Sequence, residues 1–414
     1  MNKKKLEQLA REHGTPLLVI DHEAIRKNYF NFKERLPRVQ VYYAVKSNPA
    51  PEIIRTLYSL GSSFDVASLP EFNLLFENVK HLPPKELQNF IWDNVIYANP
   101  IKKIDSLHVL NLYKPLLTYD SFEEVQKVKM HCPDAGLLLR IKVPNDDAMV
   151  DLSCKFGVEP ENAVELIGKT IDTGMTVEGV SFHVGSQCIN PKSFLLALKL
   201  CKDIFDGAKA KGYDIGEKTR GTNKKLLDIG GGFPIKYGGE EQSFAGLARI
   251  LNKEFDRSFP EDEFELLAEP GRFISGNAGT AVASVILARH SRKPLPCYHL
   301  DDGVYHTYSA MMYDHMTPTL KAFKAGEEKE YVVFGPTCDG LDTVSENKYI
   351  PNAPKVYLPR LENEDFIYAE NMGAYTSGSS SHFNGMPPAK LVHVNIQNSL
   401  NPASSPMVSE KTTK

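Results

Sequence analysis

The sequence predicts an α/β protein in which a (β/α)8 barrel is followed by an all-β domain. Between residues 39 and 271, eight short apolar segments alternate with helical segments. Such alternation is typical of a parallel sheet, and eight units in about 250 residues are typical of a closed barrel. After Gly271 the alternation stops, and strand-like segments follow one another with little helical pattern between them.

Composition and charge limit the class of protein. The chain has 414 residues, of which 42% are hydrophobic and 24% charged, as in ordinary soluble globular proteins. A net charge of −4 argues against a nucleic-acid partner, and no apolar run approaches the ~18 residues of a membrane span. The six cysteines show no CxxC pair and no metal-ligand spacing, which favours reduced thiols in a cytoplasmic protein without a bound metal.

The first predicted elements are a helix over residues 3–13, ended by Gly14, and a strand over 15–21. We expect this strand to pair with the second domain, because it precedes the barrel. The barrel strands are predicted, with helices between them, at 39–47, 63–68, 94–99, 116–121, 135–143, 176–186, 225–232 and 264–271.

The second domain is predicted from strand-like segments at 280–290, 297–305, 330–338, 355–359, 366–371 and 389–395. The predicted boundaries place the barrel at residues 22–271 and the β-domain at 1–21 together with 272–397. Residues 398–414 are polar and rich in Ser, Pro and Thr, so we expect a disordered tail.

Polar or backbone-exposing residues end every predicted barrel strand. Barrel enzymes place their chemistry at these carboxyl ends. Burial of Lys46 at the first end would lower the pKa of its amine and make it a Schiff-base nucleophile; the alternative is a strand-end lysine that extends into solvent. The other ends are Asp65, Asn99, Asp120, Arg140, His183, Gly230, Gly231, Gly232 and Glu269.

The glycine run is the strongest of these signals for a ligand. Three consecutive glycines let backbone N–H groups approach an anion closely, although a simple flexible turn is the alternative. Arg272, in the segment EPGR, follows the next strand and can pair with a phosphate. A lysine, a phosphate site and the carboxylate of Glu269, which would keep a pyridine nitrogen protonated, together favour pyridoxal 5′-phosphate (PLP) as cofactor.

Several longer motifs resemble one family. The segments YAVKSNP, FDVAS, SFHVGS, LDIGGGFP, AEPGR, DDGVY, YDH, GPTCDGLD, ENMGAYT and FNG occur in the order in which they occur in ornithine decarboxylases of the alanine-racemase-like fold. The resemblance extends from about residue 15 to 396. It implies a PLP-binding barrel joined to a β-domain.

The resemblance also implies roles for individual residues around the cofactor. Lys46 would carry the cofactor, with Asp65 beside it, and His183 would stack on the cofactor ring. Glu269 would bind the pyridine nitrogen, with Arg140 in the polar interior nearby. The phosphate would be held at the glycine run Gly230, Gly231 and Gly232 and by Ser186, Arg272 and Tyr375.

A second group is implied to contact the substrate. Cys338 would protonate the carbanion after CO2 leaves, and Asp314 and Asp339 would hold the distal amine. Tyr305 and Phe383 would line the substrate pocket. In the family the loop with Cys338 and Asp339 reaches the partner subunit's site, which implies a homodimer with shared active sites.

The activity implied is decarboxylation of a basic amino acid, with L-ornithine giving putrescine in polyamine biosynthesis. Lysine is longer than ornithine by one methylene, and a difference of that size gives only about 1–3 kcal/mol of discrimination. A lysine or dual lysine/ornithine decarboxylase is therefore an alternative. A non-catalytic regulatory homologue is the alternative of another class, although intact Lys46, Glu269 and Cys338 argue against it. A carboxylate at Glu269, where related racemases have arginine, favours decarboxylation over racemisation.

Overall fold

A computed structural model describes residues 1–144, 154–188, 190–216, 223–235, 244–346 and 353–397. The chain begins with helix α1 (Lys3–His13), strand β1 (Leu17–Asp21) and helix α2 (His22–Arg35). The Asn2 side chain accepts a hydrogen bond from the Lys5 N–H at 2.9 Å and so caps α1. Both α1 and β1 were predicted, whereas α2 was not.

Eight parallel strands close into a barrel in chain order, which confirms the predicted fold. The ring closes where the first strand pairs with the last, with Val41 opposite Ala268. The strands are β2 (Val39–Ala44), β3 (Ser63–Val66), β4 (Val95–Tyr97), β5 (Leu116–Tyr119), β6 (Gly136–Arg140), β7 (Thr176–Ser181), β8 (Lys225–Asp228) and β9 (Phe264–Ala268).

The strands end earlier than predicted, so most of the polar residues lie on the loops that follow. Lys46, for example, lies in a 3₁₀ turn, Val45–Ser47, beyond the end of β2. A second buried cluster contains side chains from several of the barrel strands. These buried residues are Tyr42, Ile96, Ala98, Leu116, Leu138, Leu226 and Leu267.

Helices cover the outside of the barrel. They are α3 (Pro51–Ser59), α4 (Leu69–Val79), α5 (Pro84–Asn94), α6 (Ile104–Tyr113), α7 (Phe122–His131), α8 (Pro160–Asp172), α9 (Pro191–Ala210) and α10 (Phe244–Ser258). Each buries one apolar face, as α10 does with Leu247, Leu251 and Phe255 at a four-residue spacing. The connection from β3 to β4 contains two helices rather than one, because Pro84 starts a new helix within it.

The second domain is a mixed sheet. Its strands are β10 (Gly279–Arg289), β11 (Cys297–Leu300), β12 (Leu320–Ala322), β13 (Lys329–Phe334), β14 (Val356–Leu358), β15 (Phe366–Glu370) and β16 (Lys390–Val394). The strand order is β12-β15-β10-β11-β13-β14. The short helices α11 (Arg272–Ser275) and α12 (Ala310–Tyr313) precede and interrupt it. Strand β12 and helix α12 were not predicted.

Strand β1 joins the two ends of the chain. It pairs antiparallel with β10 and parallel with β16, which confirms that residues 15–21 belong to the second sheet. The domain boundaries at residues 21/22 and 271/272 stay a proposal, which this pairing supports. The predicted disordered tail, residues 398–414, lies outside the described residues. Within the described ranges no helix is long and apolar enough to cross a membrane.

A histidine pair, His22 and His393, links the second sheet to the barrel helices. His22 is fully buried at the start of α2, and its Nε2 lies 2.9 Å from Nδ1 of His393 in β16. Its Nδ1 lies 2.6 Å from the Thr56 hydroxyl in α3, and His393 Nε2 lies 3.4 Å from Glu52. Burial, assisted by the charges of His393 and Arg26, lowers the pKa of His22 to about 4. A neutral His22 therefore belongs to the folded state at pH 7.

Candidate active site

A cavity of about 400 Å³ lies at the carboxyl ends of the barrel strands. Its wall also includes residues of the second domain, so the cavity lies between the barrel and the sheet. The structure brings ten of the predicted site residues to it. They are Lys46, Arg140, His183, Ser186, Gly231, Gly232, Glu269, Arg272, Asp314 and Tyr375.

Lys46 and Asp65 form an ion pair at one side of the cavity. Lys46 Nζ donates to Asp65 Oδ2 at 2.7 Å, and the Asp65 side chain has no exposed surface. Asp65 itself does not line the cavity. Its other oxygen, Oδ1, is buried without a hydrogen-bond partner among the described residues. Asp65 therefore lies behind Lys46 as seen from the cavity, where its negative charge can stabilise the positive charge of Lys46.

The expectation that burial lowers the pKa of Lys46 is wrong. Burial does act in that direction, but the negative charges of Asp65 and Glu269 outweigh it and raise the pKa above its ordinary value. Lys46 is thus a cation in the free protein. It must lose a proton before its nitrogen can attack an aldehyde, so proton removal is part of its reaction rather than a property of the resting residue.

The glycine run lies against His183. A Cβ atom added to Gly231 would lie 3.0 Å from His183 Nε2 and 2.8 Å from the Glu269 carbonyl oxygen, so only glycine leaves room for both. Gly232 has φ +91°, which side chains rarely adopt, and it also lines the cavity. Gly230 lies behind them, where its carbonyl oxygen accepts the Glu269 N–H at 2.8 Å.

His183 is held neutral. Burial lowers the pKa of its ring well below the ordinary value, and the positive charges of Arg140 and Lys46 lower it further. Its Nδ1 accepts a hydrogen bond from the Gly185 N–H at 3.0 Å, so the ring proton belongs to Nε2. A neutral flat ring at the cavity wall suits stacking on another ring.

Arg272 connects the barrel to the second domain. Its guanidinium donates to the Ser186 hydroxyl at 3.1 Å, forms an ion pair with Asp314, and lies 4.8 Å above the ring of Tyr375. Arg272 is buried at the cavity wall. A buried guanidinium, a hydroxyl and the glycine backbone on one cavity wall form a site for a phosphate group.

Glu269 and Arg140 both line the cavity. Burial raises the pKa of this carboxyl well above its ordinary value, and the charges of Asp228 and Asp65 act in the same direction. Burial also lowers the pKa of Arg140, against the opposing influence of Glu269 and Asp120. The guanidinium lies 5.5 Å from the centre of the Phe156 ring. The free protein therefore favours the neutral acid form of Glu269, and a cationic or N–H partner in the cavity would favour its carboxylate form.

Four predicted substrate or catalytic residues do not reach this cavity. Tyr305 stacks on Phe383 with ring centres 4.2 Å apart, and its hydroxyl donates to Asp339 at 2.7 Å. The N–H of Cys338 donates to the Asn384 side chain at 3.1 Å. Cys338, Asp339 and Phe383 are exposed on the surface. We call this set, Tyr305, Cys338, Asp339 and Phe383, the surface cluster.

Two further residues near the site were missed by the sequence analysis. Lys102 is fully buried, and its ammonium donates to the carbonyls of Asn99, Pro100 and Thr118 at 3.1, 3.1 and 2.5 Å. It thereby fixes the loop of Asn99 and Pro100, which lines the cavity. Burial lowers the pKa of Lys102 to about 8, against the charge of Glu124.

The other missed residue is Asp228 at the end of β8. It is 1% exposed, its Oδ1 accepts the Gly230 N–H at 2.8 Å, and burial raises the pKa of its carboxyl to about 6. A short side chain with an acceptor oxygen two residues before a glycine is a turn signal that the sequence did contain. The sequence analysis placed it inside the predicted strand 225–232 and gave it no role.

The chain matches known proteins over most of its length. A family model described as "Pyridoxal-dependent decarboxylase, pyridoxal binding domain" matches residues 22–276. A lysine/ornithine decarboxylase from Selenomonas ruminantium is 36% identical over 387 residues, which cover 93% of this chain and 91% of the relative. An ornithine decarboxylase from Schizosaccharomyces pombe is 31% identical over 412 residues, which cover 95% and 88%.

The fold agrees with solved structures. The structure of a lysine/ornithine decarboxylase from Vibrio vulnificus, complexed with putrescine, superposes with a TM-score of 0.83 at 32% identity. The superposition covers 95% of this chain and 98% of that chain. Barrel, second sheet and their arrangement are therefore shared with that enzyme.

The residues at the cavity fit PLP. An amine at Lys46, an anion site at Gly232 and Arg272, a neutral ring at His183 and a buried carboxylate at Glu269 match the aldehyde, phosphate, ring and pyridine nitrogen of that cofactor. The chain therefore belongs to the pyridoxal-dependent decarboxylase family, and it is an amino-acid carboxy-lyase that uses pyridoxal 5′-phosphate.

Proposed function

We propose that the enzyme converts L-ornithine into putrescine and CO2, a step of polyamine biosynthesis. The names of the relatives support a basic amino acid as substrate, since they act on lysine and ornithine. The observation that carries the proposal is the carboxylate of Asp314, partly buried at the wall of the same cavity as Lys46. A cytoplasmic location is proposed from the free cysteines.

Asp314 is suited to bind the distal ammonium group. Burial raises the pKa of this carboxyl, although Arg272 and Ser186 act in the opposite direction. A buried carboxylate gains more from a cationic partner than an exposed one does, because a charge-assisted hydrogen bond replaces lost solvation. A carboxylate has lone pairs for several donors, so the contact with Arg272 leaves capacity for a substrate amine.

The other cavity residues would hold the cofactor in the proposed roles. Lys46 would bind its aldehyde carbon, Gly232 and Arg272 its phosphate, and Glu269 its pyridine nitrogen. When bound, the cofactor supplies an electron sink for the negative charge left on the α-carbon after CO2 leaves. His183 would keep the ring in place from one face, where its neutral state avoids a second positive charge beside the ring.

We also propose that the enzyme is a homodimer in which the surface cluster completes the cavity of the partner subunit. Three observations support this. The cluster is absent from the cavity of its own chain, yet it is ordered internally by the bond between Tyr305 and Asp339. The Leu341 N–H and the Tyr305 hydroxyl lower the pKa of Asp339, which favours its charged form. A preformed anion and a thiol on the surface suit a site supplied to another chain.

Lysine is the second candidate substrate. The relatives from Selenomonas and Vibrio are both named lysine/ornithine decarboxylases, and one methylene changes transition-state binding by only about 1–3 kcal/mol. We therefore expect a quantitative preference for ornithine over lysine and not complete exclusion of lysine.

A substrate panel tests the proposal. The purified holoenzyme is supplied with L-ornithine, L-lysine, L-arginine or meso-diaminopimelate, and released CO2 is measured, with the Lys46→Ala protein as background. We expect kcat/KM to be highest for ornithine, with lysine lower by about 10- to 200-fold. A higher value for lysine, arginine or diaminopimelate would refute the ornithine assignment.

A further inference from the structure

The turn that carries Lys46 is hydrogen-bonded to the second domain at two neighbouring positions. This turn follows β2, and Asn48 ends it. The Ser47 carbonyl accepts the N–H of Tyr375 at 2.7 Å, and the Asn48 Nδ2 atom donates to the Gly373 carbonyl at 2.8 Å. Residues 373 and 375 lie in the loop after β15. These two bonds therefore join the lysine turn of the barrel to a loop of the second domain.

The Asn48 side chain is buried, and its orientation is fixed at both ends. Only 1% of Asn48 is exposed. Its Oδ1 accepts the Ala50 N–H at 3.2 Å, just before α3, while its Nδ2 donates to Gly373. A reversed amide would place two acceptors together at Gly373 and two donors together at Ala50. The side chain thus bridges the barrel segment and the loop after β15 in one defined orientation.

Tyr43 holds the same turn from within the barrel. Its hydroxyl donates to the Asn48 carbonyl at 3.0 Å and accepts from the Ser47 hydroxyl at 3.1 Å. Tyr43 belongs to β2, only a few residues before the turn, so these bonds do not involve the second domain. The contacts of Tyr43 and the contact of Asn48 with Gly373 can therefore be removed separately.

The two joined segments carry two attachment points proposed for the cofactor. Lys46 would bind its aldehyde carbon, and Tyr375 lies at the anion site, with its ring centre 4.8 Å from the Arg272 guanidinium. Lys46 and Tyr375 both line the cavity. The aldehyde and the phosphate of PLP are held at a nearly fixed distance by its ring. Two attachments on one ligand strengthen each other only if the protein allows both to be made at once.

We propose that Asn48 is a positioning residue, which sets the distance between Lys46 and the phosphate site by bonding the lysine turn to the loop of Tyr375. This inference rests on the roles of Lys46 and the phosphate site given under the proposed function. Asn48 is not among the residues that line the cavity. It acts through the two segments that it joins.

Two substitutions remove the contact, and a third serves as a matched control. In Asn48→Ser the hydroxyl can still accept the Ala50 N–H, as serine does in turns, but it is too short to reach Gly373. In Asn48→Asp the carboxylate keeps the shape of the side chain but has no proton to donate to Gly373. Tyr43→Phe removes two hydrogen bonds of the same turn and leaves the bond to Gly373 in place.

The measurement is the dissociation constant of three ligands from each apoprotein. PLP has both attachment groups, pyridoxal lacks the phosphate, and 4-deoxypyridoxine 5′-phosphate lacks the aldehyde. We expect Asn48→Ser and Asn48→Asp to weaken PLP binding about 10- to 100-fold, because the two attachments no longer match in distance. Binding of the two ligands with a single attachment should be unchanged. Tyr43→Phe should bind all three ligands as the native protein does.

Other outcomes overturn the inference. Equal weakening of all three ligands would show that Asn48 only maintains the fold, and native PLP binding by the Asn48 variants would show no role. A weakening confined to PLP in Tyr43→Phe would show that any loosening of the turn has this effect. Asn48→Asp decides the matter if Asn48→Ser does not fold, as circular dichroism of the apoprotein would reveal. If Lys46→Ala bound PLP as tightly as the native protein, the proposed role of Lys46 would fail instead.

Discussion

Subunit mixing tests whether each active site is built from two chains. The residues proposed to bind the cofactor line the cavity, whereas Cys338 lies in the surface cluster of the same chain. A chain with Lys46→Ala should thus have a defective cavity and an intact surface cluster. A chain with Cys338→Ala should have an intact cavity and a defective surface cluster. Each variant alone should be nearly inactive.

The expected recovery follows from this division. In a mixed dimer, one site combines both defects and the other combines Lys46 of one chain with Cys338 of the other. Random assembly of equal amounts gives mixed dimers as half of the population, and each has one intact site. The mixture should therefore recover about a quarter of native activity, and mixed dimers purified through two different tags about half.

A matched control uses two defects on the same side of the division. Lys46 and Arg272 both line the cavity of one chain, so Lys46→Ala mixed with Arg272→Ala leaves no intact site in any dimer. That mixture should show no recovery. If tagged mixed dimers of Lys46→Ala and Cys338→Ala are isolated and remain inactive, each site is complete within one chain, and the shared-site proposal is wrong.

Four further predictions concern single residues. Lys46→Ala should lower activity by several orders of magnitude and remove the visible absorption of lysine-linked cofactor, and a surviving absorption band would contradict its role. Asp314→Asn should raise KM for ornithine far more than it weakens PLP binding, measured by steady-state kinetics and cofactor titration; lost PLP with unchanged ornithine kinetics would contradict it. Cys338→Ala should react about 10²–10⁴-fold more slowly and inactivate itself by forming pyridoxamine phosphate, which mass spectrometry detects and added PLP rescues. If it forms only putrescine at the native rate, another group is the acid. The lowered pKa of His22, about 4 against 6.5 when unfolded, means that the unfolded state binds the extra proton as pH falls below 6.5. The native protein should lose about 2 kcal/mol more unfolding free energy than His22→Gln between pH 7 and pH 5 in urea titrations, and equal losses would show that His22 is not the group.

The barrel could be predicted from the sequence because the pattern that indicates it is local and is repeated along the chain. Each strand is an apolar run bounded by turn residues. Lys46, His183 and Glu269 lie just beyond the ends of three strands, so closure of the barrel brings them together. Helix α5 and strand β12 were missed for local reasons. Pro84 starts a helix inside what reads as one long connection, and β12 is only three residues long.

The pKa values and the surroundings of buried charged groups could not be predicted from the sequence in the same way. The pKa of Lys46 depends on the 2.7 Å contact with Asp65 from the next strand, and its direction reverses once that contact is known. Lys102 appears in the sequence as one of two adjacent lysines. Only the fold shows that its ammonium is enclosed by three carbonyl oxygens.

The pairing of β1 has a consequence for synthesis of the chain. Val19 pairs with Thr280 in β10 and with Val392 in β16, near the end of the described chain. At about 5–20 residues per second, a ribosome needs roughly 20 to 75 s to reach the second partner. During that time the barrel can fold, while an apolar strand on the nascent chain lacks its neighbours. The unpaired β1 is then an aggregation-prone edge that favours protection by a chaperone until the last strand emerges.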